Sequence, residues 1–423
     1  MTPIIRIRLT VRSQWRIMPL DMHKTNILVR GGLLWLYKRR MTLFITILIT
    51  SLLASLLLRQ LTTLPGGLSA SEQAIASTPI GWQGLADNPL FLPIKFLWSV
   101  GFFWFGQGGA LVSRLPSVLL GAAAILSLAL VIRAWHGNRI ALFSGILFAT
   151  SAWTLHVSRY TGFDSSYFVA LPLLLLTQIA LQRIKQLWLT TLVLLVWSGL
   201  LFIPGMIWFV LVAAYWQWGN LQDTWRDYKS WWQRALLPVC GLAWLPLLAY
   251  HFFGSTAALL TWAGLPASIG SLADFGLRLG AVPLNLVAQG PNLPEVWLGR
   301  LPILDIVSLG FFIAGVWFYS HKWWAARSQL LAIYFVIACL LIALNGPVTL
   351  SLVVPLAYLL AAAGIALILN TWLRRFPNNP VARSFAIMLI LAGVLTSSAY
   401  NLRSYYVVWP SNQITIQRFN SES

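Results

Sequence analysis

The sequence predicts an all-α, polytopic membrane protein. Three observations carry this prediction. The 423 residues are 58% hydrophobic and only 9% charged, with 23 Trp and a mean hydropathy of +0.75. Soluble domains carry roughly a quarter charged residues, so this chain cannot coat a water-facing surface of its own size. Apolar runs of about 17–25 residues recur along it, the length a helix needs to cross a bilayer. The runs do not alternate in polarity, which excludes a β-barrel.

The net charge of +19 would suggest nucleic acid in a soluble protein. Here the cations fall mainly between apolar runs, where they read as loops facing an anionic leaflet, and no nucleic-acid partner is expected. Cys240 and Cys339 both lie inside apolar runs and are expected to be buried thiols. No Cys/His pair has metal-ligand spacing, so no metal or cofactor is expected.

Taken in order, residues 1–40 contain nine Lys/Arg and one acid, Asp21, ahead of the uncharged run Met41–Leu58. We expect a basic cytoplasmic tail and an uncleaved first span. About eleven spans follow from the pattern, at 41–60, 110–134, 140–157, 166–182, 187–203, 205–218, 235–253, 302–320, 329–345, 348–370 and 384–401. With the amino terminus inside, 21 Lys/Arg fall on the inner side and 8 on the outer, the asymmetry expected of a plasma-membrane protein.

Two stretches decide the threading. "PLFLPIKFLWSVGFFWFG" (Pro89–Gly106) is short and carries Pro93 and Lys95, so it reads as an interfacial helix in the first outer loop. Residues 187–218 have basic loops at both ends and a break at Pro204-Gly205, so they read as a hairpin of two short spans. The domain expectation is a tail (1–40), a transmembrane module (41–253) containing outer loop 61–109, and a C-terminal part (254–423) opening with outer loop 254–301. Long loops on one side of a membrane protein usually carry function.

Ten acids are present, and several sit near the outer face: Glu72, Asp87, Asp164, Asp274, Glu295 and Asp305. Carboxylates at a membrane edge are costly unless solvated or paired, so together they suggest a polar cavity opening outward. Each also has a local explanation. Ser69-Ala70-Ser71-Glu72 is a capping box. Asp87 or Asn88 could cap a helix with Pro89 in its first turn, and Asp164 or Ser165 could cap the span that follows them. Lys95, Arg114 and Arg159 would pair either with an acid or with an anionic head group.

The order of motifs carries a resemblance. "LPGGLSASEQAIAS", "DNPLFLPIKFLWSVGFFWFG", "ALVSRLPSVLLGAAAILSLAL" and "LFATSAWTLHVSRYTGFDSSYF" follow one another after the first span. Over roughly residues 60–185 this resembles the membrane glycosyltransferases of family 39 and the related aminoarabinose transferases, which share the GT-C fold. "SRLPS" (Ser113–Ser117) and the Arg159…Asp164 spacing are its most specific parts. The resemblance implies a transferase that takes a sugar from a polyprenyl-phosphate donor to an acceptor on a protein, lipid or glycan at the outer face, by an inverting displacement and with no cofactor. It implies Glu72, Asp87 and Asp164 as catalytic carboxylates, and Ser71, Asn88, Lys95, Arg114 and Arg159 as substrate-binding residues.

Two departures from the family pattern stand out. Ser71 occupies the position of the first acid of the first-loop pair, and "GPVTLSLVVPLAYLL" lacks the late Arg-Tyr. A serine hydroxyl is no base at neutral pH without help. The readings therefore left open are a base moved to Glu72, Asp87 or Asp164, a relative that binds polyprenyl phosphate without turnover, or a lipid or solute transporter.

Overall fold

In the computed structural model, the described residues are 47–77, 85, 88–106, 109–183, 186–228, 230–242, 245–252, 254–268, 270–293 and 295–420. The expected tail at 1–40 and the candidate Asp87 lie outside them. The chain divides into two compact units between Ser55 and Leu56. Of the first, residues 47–55 are described, and they are helical. The second runs from Leu56 to Ser423.

All regular structure among the described residues is helical. In chain order the helices are α1 (Ile47–Leu58), α2 (Ala70–Ser77), α3 (Leu92–Phe105), α4 (Ala110–His136), α5 (Asn138–Ala149), α6 (Ala152–Arg159) and α7 (Asp164–Arg183). Then come α8 (Leu187–Leu200), α9 (Met206–Trp216), α10 (Trp218–Asp227), α11 (Trp231–Leu242), α12 (Leu245–Phe252), α13 (Thr256–Trp262) and α14 (Leu272–Val287). The C-terminal set is α15 (Ile306–His321), α16 (Ala326–Ala343), α17 (Val354–Arg375), α18 (Pro380–Arg403) and α19 (Gln413–Asn420).

Among the described residues, five helical stretches are long and apolar enough to cross a membrane: α4, α7, α16, α17 with the 3₁₀ turn before it, and α18 with the π-helix after it. The bent pair α5–α6 passes the same test only when its two helices are taken together. The chain is a multi-pass membrane protein. Eleven full-length spans are more than the described residues contain. The expected hairpin at 187–218 is α8 and α9, of 14 and 11 residues, and the expected span at 235–253 is the short pair α11 and α12.

α17 is the central helix, buried along most of its length. Its run Ala361-Ala362-Ala363-Gly364 has little side chain, so neighbouring backbones approach closely. α15 packs along it, and α4 packs on α7. α18 presents Met388, Leu389 and Leu395 outward, an apolar face suited to lipid.

The span expected at 140–157 is broken. α5 ends at Ala149, and α6 leaves it at 64°. Ser151 Oγ accepts from the Thr154 amide at 3.2 Å, and Asn401 Oδ1 of α18 accepts from the Ala152 amide at 3.1 Å. These bonds satisfy the free donors of a new helix start. The break at Pro204-Gly205 also has a tertiary cause. Gly205 is left-handed at φ +78°, its amide donates to the Trp262 carbonyl, and a Cβ on Gly264 would lie 2.7 Å from Gly205 Cα. A helix, α3, forms within the expected 89–106 stretch, but its N-cap is Phe91, not Asn88.

Candidate functional site

The site begins at α2. The capping box forms as read from the sequence: the Ser69 amide donates to Glu72 Oε2 at 3.1 Å, and the Glu72 amide donates to Ser69 Oγ at 3.4 Å. The Glu72 carboxylate then takes two bonds from Arg114 in the second turn of α4, from Nε to Oε1 at 2.9 Å and from Nη2 to Oε2 at 2.7 Å. The Thr161 amide adds a bond to Oε1 at 2.9 Å. Four donors thus fill the four lone-pair positions of a carboxylate.

Arg114 is equally committed. Its other donors reach the carbonyls of Leu61 (2.6 Å), Leu64 (2.9 Å) and Gly67 (2.6 Å). All five guanidinium N–H groups therefore have acceptors. Both side chains are buried, and they form the sole ion pair among the described residues. Buried charge is tolerable when paired and fully hydrogen-bonded, as here. The pair fastens loop 59–69 and α2 to α4 and to the turn between α6 and α7.

A second polar cluster lies beside it and includes an outer-face acid, Glu295, to which the sequence reading assigned no catalytic or binding role. Ser71 Oγ donates to Glu295 Oε2 at 2.8 Å, and Tyr160 OH donates to the same oxygen at 2.9 Å. Ser69 Oγ contacts both hydroxyls, Tyr160 at 2.9 Å and Ser71 at 3.1 Å, and Ser71 and Tyr160 also touch each other. Glu295 Oε1 has no partner among the described residues. Burial pushes the Tyr160 phenol well above its ordinary range, reinforced by the charges of Glu72 and Glu295, so it stays protonated and donates. Glu295 comes from the stretch "GPNLPEVW" after α14. Its only signal in the sequence is an acid alone among Pro, Asn and apolar residues.

Arg159, the last residue of α6, is 3% exposed and has no carboxylate partner. Nη2 donates to the Arg59 carbonyl, and the guanidinium lies 5.0 and 5.1 Å from the ring centroids of Tyr405 and Tyr406. Nε and Nη1 have no acceptor among the described residues. Tyr405 and Trp409, from the C-terminal π-helix and the turn after it, stack with their centroids 5.5 Å apart, and both pack against His156.

Asp164 opens α7 without a separate cap, and its Oδ1 is buried with no hydrogen-bond partner. Tyr167 OH, one turn on, is likewise unpaired. The turn before Asp164 is held by aromatic packing: Phe163 stacks on Phe91 at 4.5 Å and meets Trp98 edge-on at 5.5 Å. Asn88 and Lys95 lie on the approach to this turn. Asn88 Oδ1 accepts from the Leu90 amide at 3.2 Å, and its carbonyl accepts from Lys95 Nζ at 2.9 Å. Burial pulls the Lys95 ammonium down to about 8.

Of the sequence-predicted residues, Glu72, Ser71, Arg114 and Arg159 thus come together around the 59–77 and 159–164 segments, with Asp164 at the end of the second. Among the described residues no group of three His, Cys, Asp or Glu is arranged to hold a metal.

No protein-family model matches the chain, and no curated protein matches it. Solved structures do. ArnT from Cupriavidus metallidurans in the apo state is 14% identical, with 90% of this chain and 78% of that chain covered, at a TM-score of 0.54. The same protein bound to undecaprenyl phosphate is 15% identical, covering 77% and 66%, at 0.47. The Archaeoglobus fulgidus oligosaccharyltransferase tethered with an acceptor peptide is 14% identical, covering 90% and 56%, at 0.46.

Proposed function

From the GT-C fold that this chain shares with ArnT, we propose that it is a glycosyltransferase. It moves a sugar from a polyprenyl-phosphate-linked donor to an acceptor hydroxyl on a protein, lipid or glycan. The reaction takes place at the outer face of the plasma membrane, with the amino terminus cytoplasmic.

The observation that carries this reading is Arg159. A buried guanidinium with two unmatched donors and no carboxylate is costly to leave empty. A phosphate offers the two oxygens that a guanidinium fork takes. The rings of Tyr405 and Tyr406 hold that fork in place. Lys95, held by the Asn88 carbonyl, is the second cation we assign to that phosphate.

The base is Glu295. Glu72 has no free lone pair, so it and Arg114 act as the frame that holds the first loop. Glu295 has a free Oε1, while Ser71 and Tyr160 fix its other oxygen. Oε1 takes the proton of the acceptor hydroxyl as that oxygen forms its bond to the anomeric carbon. The bond between that carbon and the phosphate oxygen breaks, and its electron pair leaves with polyprenyl phosphate. Arg159 and Lys95 meet the charge that develops there. A single displacement inverts the anomeric centre. Asp164, with its unpaired Oδ1, and Asp87 are the acids that offset positive charge on the sugar ring.

The second reading, a relative that binds the lipid without turnover, draws on Ser71 standing where an acid is expected. Detergent-purified protein given a panel of polyprenyl-phosphate sugars separates the two. Release of polyprenyl phosphate supports the transferase. Donor binding with no release from any donor would make the protein a carrier-lipid binder.

A further inference from the structure

A second cavity lies at the opposite end of α4 from Arg114. α15 and α17 cross in backbone contact: a Cβ on Gly315 would sit 1.8 Å from the Leu360 carbonyl oxygen, and one on Gly364 would sit 1.9 Å from that of Phe311. Beyond this crossing the two helices part, and a cleft of about 330 Å³ opens between their C-terminal turns. His136, the end of α4, closes one side. Trp317 and Phe318 form aromatic walls, and Lys322 and Arg374 line the mouth.

The charges in this cleft are unbalanced. No acid lines it, and neither Lys322 nor Arg374 has an ion-pair partner among the described residues. Lys322 Nζ lies 4.3 Å from the Phe318 ring centroid. Cations at helix ends offset the helix dipole, which explains one basic residue at each end. It does not explain two that share one cavity with aromatic walls. Trp at this level is typical of the boundary between headgroups and hydrocarbon. On the same two helices, Ile313 and Val316 of α15 and Ile368 of α17 are exposed, apolar surface suited to acyl chains.

We infer that this cleft binds the phosphate of an anionic glycerophospholipid, with Lys322 and Arg374 on the phosphate oxygens and the acyl chains along Ile313, Val316 and Ile368. Basic pockets between helices at a membrane edge suit such headgroups. A free phosphate ion would use the two cations but not the apolar flank.

Native mass spectrometry of the full chain released from detergent tests this. The wild type should retain one phosphatidylglycerol, with a roughly tenfold preference over phosphatidylcholine. K322Q/R374Q should lose the preference while keeping its melting temperature in lipid-free detergent. If the double variant does not fold, K322Q and R374Q singly should each weaken retention. Equal retention of phosphatidylcholine by the wild type, or undiminished preference in the variants, would overturn the site. Displacement of phosphatidylglycerol by millimolar inorganic phosphate would overturn the lipid assignment in favour of a free-ion site.

Discussion

Ser71 donates a 2.8 Å hydrogen bond to Glu295, joining segments 224 residues apart. Where the sequence shows a serine beside Glu72, the fold supplies a carboxylate from a distant loop. Tyr160 bonds the same oxygen, so Glu295 is aimed by two neutral donors and keeps one oxygen open. The first-loop acid, Glu72, is meanwhile locked to Arg114. These two facts divide the site into a saturated pair and a carboxylate with an open edge, and substitutions in the two should have different signatures.

The saturated pair should behave as a stability element. Arg114→Ala leaves Glu72 buried without its cation, and breaking a buried pair on one side costs about 3–5 kcal/mol. Glu72→Gln keeps the shape but removes the charge, and should cost less than Arg114→Ala. Both should lower the thermal midpoint in detergent. Unchanged midpoints with lost turnover would mean that Glu72 acts in the chemistry instead.

The donors that orient Glu295 should show graded effects. Ser71→Ala and Tyr160→Phe each remove one hydrogen bond to a carboxylate, worth about 1.5–3 kcal/mol where the acceptor is charged. Turnover should fall roughly 10–100-fold in each, with donor KM nearly constant. A shift confined to KM would place these hydroxyls on the donor rather than on the base.

Arg159→Gln removes the unmatched donors and the charge. Donor affinity should fall about 10–100-fold, the scale of one charge-assisted phosphate contact. Fluorescence titration with a polyprenyl phosphate lacking sugar reads this without turnover. Equal affinity in the variant would remove Arg159 from the phosphate site.

Lys95 gives the site a pH dependence of definite sign. Burial lowers its pKa to about 8, so it is cationic below that pH and neutral above it. Its attraction for a phosphate is present below about 8 and lost as pH rises through it. Donor affinity should therefore decline between about pH 7.5 and 9, and Lys95→Arg, which stays charged, should flatten the decline. A profile identical in the two proteins would exclude Lys95 from donor binding.

Much of this architecture was legible because its causes are local. Apolar run length gave the helical membrane fold, and the Ser69–Glu72 spacing gave the cap that forms. The break of the 138–159 span was not legible, since part of its cause is Asn401 on α18, far away in the chain. Arg114 and Glu72 were both readable as charged candidates. Their mutual saturation was not, because it depends on three carbonyls of a loop whose path the sequence does not specify. Glu295 was legible as one of the outer-face acids, but not as a member of this cluster, because its partners Ser71 and Tyr160 lie far away in the chain.

If Glu295 deprotonates the acceptor, the phosphate site should bind the donor independently of it. Single-turnover release of polyprenyl phosphate, measured in wild type and Glu295→Gln at saturating donor, tests this most directly. Release should fall about 10²–10⁴-fold in the variant, the scale of a lost general base, with donor affinity and melting temperature unchanged. Undiminished release in Glu295→Gln would contradict the assignment of Glu295 as the base.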